Sequence, residues 1–413
     1  MDKKKLEIDI GDIRLKNPII CGSAEHFIEK AGIMNAINMG AAAVVAKSSN
    51  ESNAAKIQLD KTDYSLIDSK LDNINWKEKK DIDTSLFGRS GLIQLETEEW
   101  LNKISILDNE AEKENAFVIA SLIPSDLDCL IKYAEIANNL GIRILEVNIG
   151  APHGVELDEE IKIIRKEGIV KEIVKNVRNV FKGSLWIKIA GVTENVIEIS
   201  AASKEQGADA VVMIGRMMAM IPDIESMDPI LGTNGAYGGR WALPITCRWL
   251  SETRKMLGNE YPLIGTNGVR SGEDVVRMIL SGATAVEMTS AIFMDGFDVI
   301  PKTLHQLSSY LDRKNASIKD IIGIKPPVMT PELEDTLCNL FMEIQGPYAK
   351  FCPEDRVNFL NYYYTVYKLC ELLDQKQFLP FFPMLKDREK KMEQDEIWKK
   401  ICNELDWEFI PTI

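Results

Sequence analysis

Residues 262–290, PLIGTNGVRSGEDVVRMILSGATAVEMTS, decide the fold class. An apolar run ends in a glycine-bearing turn, an amphipathic stretch follows, and a second apolar run starts at Thr284, which is the strand, turn, helix, strand order of a parallel sheet with helical crossovers. Working outward, eight such apolar runs occur: NPIICGSA, AAAVVAK, AFVIASLI, IRILEVNI, SLWIKIA, ADAVVMI, YPLIGTN and TAVEMTS. Each is near-continuously apolar, as strands buried on both faces must be. Eight predicts closure into an α/β (β/α)8 TIM barrel. An open doubly wound sheet is the alternative, but no GxGxxG follows the first run and no GxxxxGK[ST] occurs. Between the third and fourth runs Leu127, Leu130, Ile131, Ala134, Ala137 and Leu140 recur at three- and four-residue steps, predicting a helix with one buried face that Gly141 stops.

The barrel pattern spans residues 1–325, with a polar, irregular insertion near 51–114 on the side where active-site loops lie, expected to be a lid or a partner surface. Residues 326–413 change to helical segments rich in aromatics and charge, including YYYTVYKLCELL, and are expected to form an added C-terminal helical region. It reads either as a cap packed on the barrel or as a docking surface.

A formal net charge of −14 without a basic patch argues against nucleic acid and anionic membrane surfaces as partners. The start, MDKKKLEIDIGDIRL, places Glu7, Asp9 and Asp12 where a signal peptide would be apolar, and no apolar run reaches 18 residues. Seven cysteines without a CxxC pair read as reduced thiols, not as a disulfide framework, zinc ribbon or self-contained iron–sulfur site. These readings predict a cytoplasmic protein, not in a membrane and with no metal of its own.

Asn267, Gly268, Thr289 and Ser290 fall in the turns after the seventh and eighth runs, where backbone N–H groups of a barrel form a phosphate site. Two ordinary turns are the bland reading. Lys47 closes the second run and Lys188 lies inside the fifth; a lysine in a buried strand needs an anionic partner. Facing the barrel mouth, the pair could stabilise negative charge on a reduced flavin ring; otherwise they are structural ion pairs.

NPIICGSA, the lysine ending the second run, EVNIGAPHG, WIKIAG, GAYGG followed by Pro244, and IGTNGVRSGEDVVRMILSGATAVEM together resemble the dihydroorotate dehydrogenases, over roughly residues 6–325. The FMN domain of dihydropyrimidine dehydrogenase is similar to the same barrel. The resemblance is to the soluble members, and it implies FMN held by Ala24, Lys47, Asn148, Lys188, Gly239, Asn267, Gly268, Thr289 and Ser290. It also implies electron delivery by a separate subunit, and a homo-oligomer is expected.

The substrate half departs from the family. Where the family has a serine or cysteine base after the fourth strand, this chain reads Gly150-Ala151-Pro152-His153. The asparagine of its NRxGL-like segment is Gly88, and the amide-bearing pair ending the sixth strand is Gly215-Arg216. A site that loses buried amides should reject a ring that needs them. Arg216 could instead hold a carboxylate or acyl phosphate bidentately, or pair with Asp223 or Glu225 in its own loop. His153 suits proton transfer near neutral pH, with His26 and Tyr237 as further candidates. The expected activity is FMN-dependent hydride transfer between flavin N5 and a carbon–carbon bond beside a carbonyl or carboxylate, on a small and possibly carboxylated substrate, with catalysis by His153, Lys188 and Arg216. The rivals are a flavin-free phosphate-ligand barrel with lyase or isomerase chemistry, and a non-catalytic barrel subunit of a redox complex.

Overall fold

The computed structural model describes residues 3–58, 60–150, 167–191, 195–323, 329–352, 358–382, 384–385 and 387–412. The chain divides into two compact units, Met1–Ile324 and Lys325–Ile413.

In the first unit eight parallel strands close into a barrel: β1 (Ile19–Cys21), β2 (Ala43–Val45), β3 (Phe117–Leu122), β4 (Ile144–Asn148), β5 (Ser184–Lys188), β6 (Ala210–Met213), β7 (Leu263–Thr266) and β8 (Ala285–Met288). Each pairs with the next, and β8 returns to β1 through Val286–Ile19, Glu287–Ile20 and Met288–Cys21. All eight apolar runs are barrel strands, and every residue of β2, β6, β7 and β8 is buried, because one face meets the barrel interior and the other the helical ring. The crossover helix Leu127–Asn139 buries Leu130, Ala134 and Ala137. Asp126 caps its start by accepting from Cys129 N at 2.8 Å, and Gly141 leaves it at φ +72°.

The stretch 51–114 is more ordered than its polarity suggests. Its helix Thr97–Glu112 is the barrel's own crossover and buries Trp100, Leu101, Ile104 and Ala111. Strands Asp63–Ile67, Asn73–Ile74 and Ser85–Arg89 join Met217–Ala219 and Gly235–Gly238, from the segment after β6, in a five-stranded antiparallel sheet. Ser85–Arg89 pairs with a strand reading GAYG, in the register Ala236–Gly88, Tyr237–Phe87 and Gly238–Leu86. So distant a partner and so glycine-rich a strand leave little local alternation to read.

The second unit contains helices Pro331–Glu343, Gln345–Phe351, Tyr362–Leu372 and Arg388–Leu405. They share a core that includes Tyr364, Leu369, Trp398 and Ile401. Inside it the Lys368 ammonium is neutralised by Glu371 at 2.9 Å and donates to the Ile410 carbonyl at 2.6 Å. Among the described residues no helix is long and apolar enough to cross a membrane.

Candidate active site

A cavity of about 240 Å³ opens at the C-terminal ends of the barrel strands. Every strand delivers to its wall: Ser23 after β1, Lys47 and Ser48 after β2, Ile123 after β3, Asn148 on β4, Lys188 on β5, Gly215 and Arg216 after β6, Thr266 on β7 and Glu287 on β8. The added sheet supplies another part of the wall through Gly88–Leu92 and Gly235–Ala236.

One end is built by the two glycine-bearing turns. Asn267 (φ +69°) and Gly268 (φ +120°) both take the left-handed region, and a Cβ on Gly268 would lie 2.7 Å from Leu243 N. Thr246 Oγ1 spans the Thr266 and Asn267 carbonyls at 3.1 Å each, fixing the turn from beneath. Asn267 Oδ1 is buried with no partner. Thr289 lies against Gly22, where a Cβ would fall 2.3 Å from Thr289 Oγ1. Thr289, Ser290, Asn267 and Gly268 all line the cavity.

A charge cluster stands on β4, β5 and β8. Lys188 Nζ donates to Glu287 at 2.5 Å and to Glu146 at 3.5 Å, and both carboxylates are buried. Burial, and next to it the charge of Glu287, push the Glu146 carboxyl up to about 8 against the pull of Lys188. Burial alone would lower the Lys188 ammonium, but the two carboxylates outweigh it and raise it. From Glu146 a line of hydroxyls runs through Ser121 (3.0 Å), Ser48 (2.9 Å) and Ser23 (3.0 Å) back to the wall.

The opposite side is wired differently. Lys47 Nζ donates to Glu25 Oε1 at 2.7 Å, and the Gly91 N–H donates to the same oxygen at 3.0 Å. Tyr64 donates to Glu25 Oε2 at 2.6 Å and lies 2.8 Å from Ser90 Oγ, to which Arg216 Nη2 donates at 2.7 Å. Burial would raise Glu25, but the charge and hydrogen bond of Lys47, with Tyr64, hold it below the ordinary carboxylate range. Burial lowers Lys47 and raises Tyr64. Arg216 Nη1 and Arg89 Nε are buried without partners. Asp223 does not take Arg216, since it accepts the Glu225 and Ser226 N–H groups at 2.9 Å each.

Of the sequence-predicted residues, Lys47, Asn148, Lys188, Arg216, Asn267, Gly268, Thr289 and Ser290 come together on this wall. Ala24, next to Ser23, and Gly239 do not line it. A Cβ on Gly239 would strike Ser85 Oγ at 2.4 Å. His153 lies outside the described residues. His26 packs edge-on against Phe293 with ring centroids 4.4 Å apart, and Tyr237 stacks on Trp241 at 5.1 Å; neither lines the cavity. Sequence reasoning passed over Glu25, Tyr64, Ser90, Glu146 and Glu287. The last two carried a signal equal to that of Lys188, an ionisable residue in an otherwise apolar strand.

A family model described as dihydroorotate dehydrogenase matches residues 80–311. Another, described as poxvirus late transcription factor VLTF3 like, matches residues 300–409. The chain is 27% identical over 332 residues to the catalytic subunit of dihydroorotate dehydrogenase B (NAD(+)) of Methanocella arvoryzae, covering 78% of this chain and 97% of the relative. The Thermoplasma acidophilum protein of the same name is 27% identical over 333 residues, covering 77% and 98%. That of Phocaeicola vulgatus is 31% identical over 217 residues, covering 50% and 67%.

Proposed function

The chain belongs to the dihydroorotate dehydrogenase family, and from that premise we propose that it is an FMN-dependent oxidoreductase acting on a carbon–carbon bond beside a carboxylate, with a substrate other than dihydroorotate. The observation that carries this reading is the pairing, on one wall, of a backbone turn fit for a phosphate with a buried guanidinium that has a spare donor.

FMN fits the donor set. Asn267, Gly268, Thr289 and Ser290 would take the phosphate end, with Gly239 behind them. Lys47, Asn148, Lys188 and the Ala24 turn would take the ring. The orphaned Asn267 Oδ1 and Glu287 Oε1 are acceptors suited to ligand hydroxyl or N–H groups. Bound there, FMN would supply a two-electron acceptor and donor of hydride. Lys188, kept charged by its two carboxylates, would hold negative charge on the ring.

Arg216 supports the substrate half. A buried guanidinium nitrogen without a partner costs about 1–3 kcal/mol. An anionic acceptor offsets that cost, and a carboxylate has the matching fork. Gly88 and Gly215 offer no side-chain amide for a pyrimidine ring. The relatives' shared description as a catalytic subunit supports a separate subunit that delivers electrons. The seven free cysteines suit the reducing cytoplasm.

The test is anaerobic reoxidation of the dithionite-reduced protein. Fumarate or 3-nitroacrylate should restore the oxidised spectrum and orotate should not. Arg216→Met should slow that reaction by about 10²-fold or more. Reoxidation by orotate at an equal rate would overturn the substrate assignment.

A further inference from the structure

We propose that Ser90 is the proton-transferring catalytic residue of this site, and that Tyr64 and Glu25 are positioning residues that connect it to the edge of the molecule. The inference rests on the oxidoreductase reading above.

Ser90 lines the cavity, whereas Tyr64 and Glu25 stand behind it. Tyr64 commits its only proton to Glu25 Oε2 at 2.6 Å, so at 2.8 Å it must accept from Ser90. Arg216 Nη2 donates to Ser90 Oγ at 2.7 Å, which occupies one lone pair and favours negative charge on the oxygen. One lone pair of Ser90 Oγ remains. The line ends at Glu25, whose side chain is 20% exposed.

In the direction of substrate oxidation, the C–H bond beside the electron-withdrawing group, a carboxylate or the nitro group of 3-nitropropionate, breaks and its proton goes to Ser90 Oγ. The serine proton passes to Tyr64 and the tyrosine proton to Glu25 Oε2, which becomes a carboxylic acid. The electron pair left on carbon forms the double bond as hydride leaves the neighbouring carbon for the flavin, the two-electron oxidant of the proposed activity. Reduction runs the same sequence backwards. Glu25 is faced by Lys47 and the Gly91 N–H on one oxygen and Tyr64 on the other, with His26 next in the chain. These neighbours keep it ionised and ready to receive the proton.

Proton transfer can be observed apart from hydride transfer. Fully reduced protein cannot oxidise 3-nitropropionate, but it can exchange that molecule's C3 hydrogens with D₂O, which proton NMR follows. Ser90→Ala should lose enzyme-dependent exchange by about 10²-fold or more. Loss of exchange should exceed any slowing of flavin reoxidation by 3-nitroacrylate by at least about tenfold, because that hydride step needs no protonation in concert. Ser90→Cys should retain exchange, and Tyr64→Phe should lower it and remove its pH dependence. Equal exchange in Ser90→Ala and wild type, or loss in His153→Ala with Ser90→Ala unaffected, would overturn the assignment. Wild-type protein that takes no FMN, or whose reduced flavin ignores 3-nitroacrylate, would instead overturn the oxidoreductase reading, and the Ser90 step with it.

Discussion

The two lysines of the cavity look alike in sequence, each a cation in or at the end of an apolar run, yet their surroundings differ. Lys188 sits among two buried carboxylates, and burial raises one of them, Glu146. Lys47 has one carboxylate, itself bonded to a tyrosine and a backbone N–H and partly open to solvent. In the first arrangement both carboxylates are fully buried, while Lys188 itself reaches the cavity wall. The second is the inner end of a hydrogen-bonded line toward the exterior. A cation on the cavity wall is thus held by two carboxylates in one place and by one in the other.

The sharpest way to break the contrast is to remove each lysine. Lys188→Met leaves Glu146 and Glu287 buried together without a cation, and should cost about 3–5 kcal/mol of stability, measured by urea unfolding. Lys47→Met should cost less, about 1–3 kcal/mol, because Glu25 keeps Tyr64, the Gly91 N–H and some water. Equal losses would mean that the second carboxylate makes no difference. Tyr64→Phe removes one neutral donor from Glu25 and should cost about 1 kcal/mol with little change in FMN content.

A finer probe is the pH dependence of the Lys188 cluster. Burial raises the Glu146 carboxyl in the folded chain to about 8, from the ordinary carboxylate value near 4.5 that applies in the unfolded chain. Between those values the folded state binds more protons, so this group's contribution to stability is lost as pH rises from about 5 toward 8. Glu146→Gln keeps a neutral side chain of the same shape, and should flatten that part of a melting temperature profile. A profile as steep as the wild type's would assign the proton elsewhere.

The barrel was legible because burial on both faces writes itself as unbroken apolar runs, and all eight were strands. The turn after β7 was legible for a local reason: Asn267 and Gly268 take backbone angles that few other residues tolerate. Lys47, Lys188 and Arg216 stood out as cations in apolar or glycine-rich settings. The Glu25, Tyr64 and Ser90 line was not legible. Its members lie 39 and 26 positions apart, and the pairing of Asp63–Ile67 with Ser85–Arg89 in the added sheet brings Tyr64 beside Ser90. Glu146 and Glu287 could have been found, since the reasoning that demanded an anion for Lys188 also demanded a cation for them.

The measurement that tests the central claim most directly is the visible spectrum of the purified protein, with release and identification of the bound chromophore and a dithionite titration. The account predicts the two-banded absorption of an oxidised flavin, one FMN per chain, bleached by two electrons. A colourless protein that takes up no added FMN would contradict it and leave a flavin-free phosphate-binding barrel as the better description.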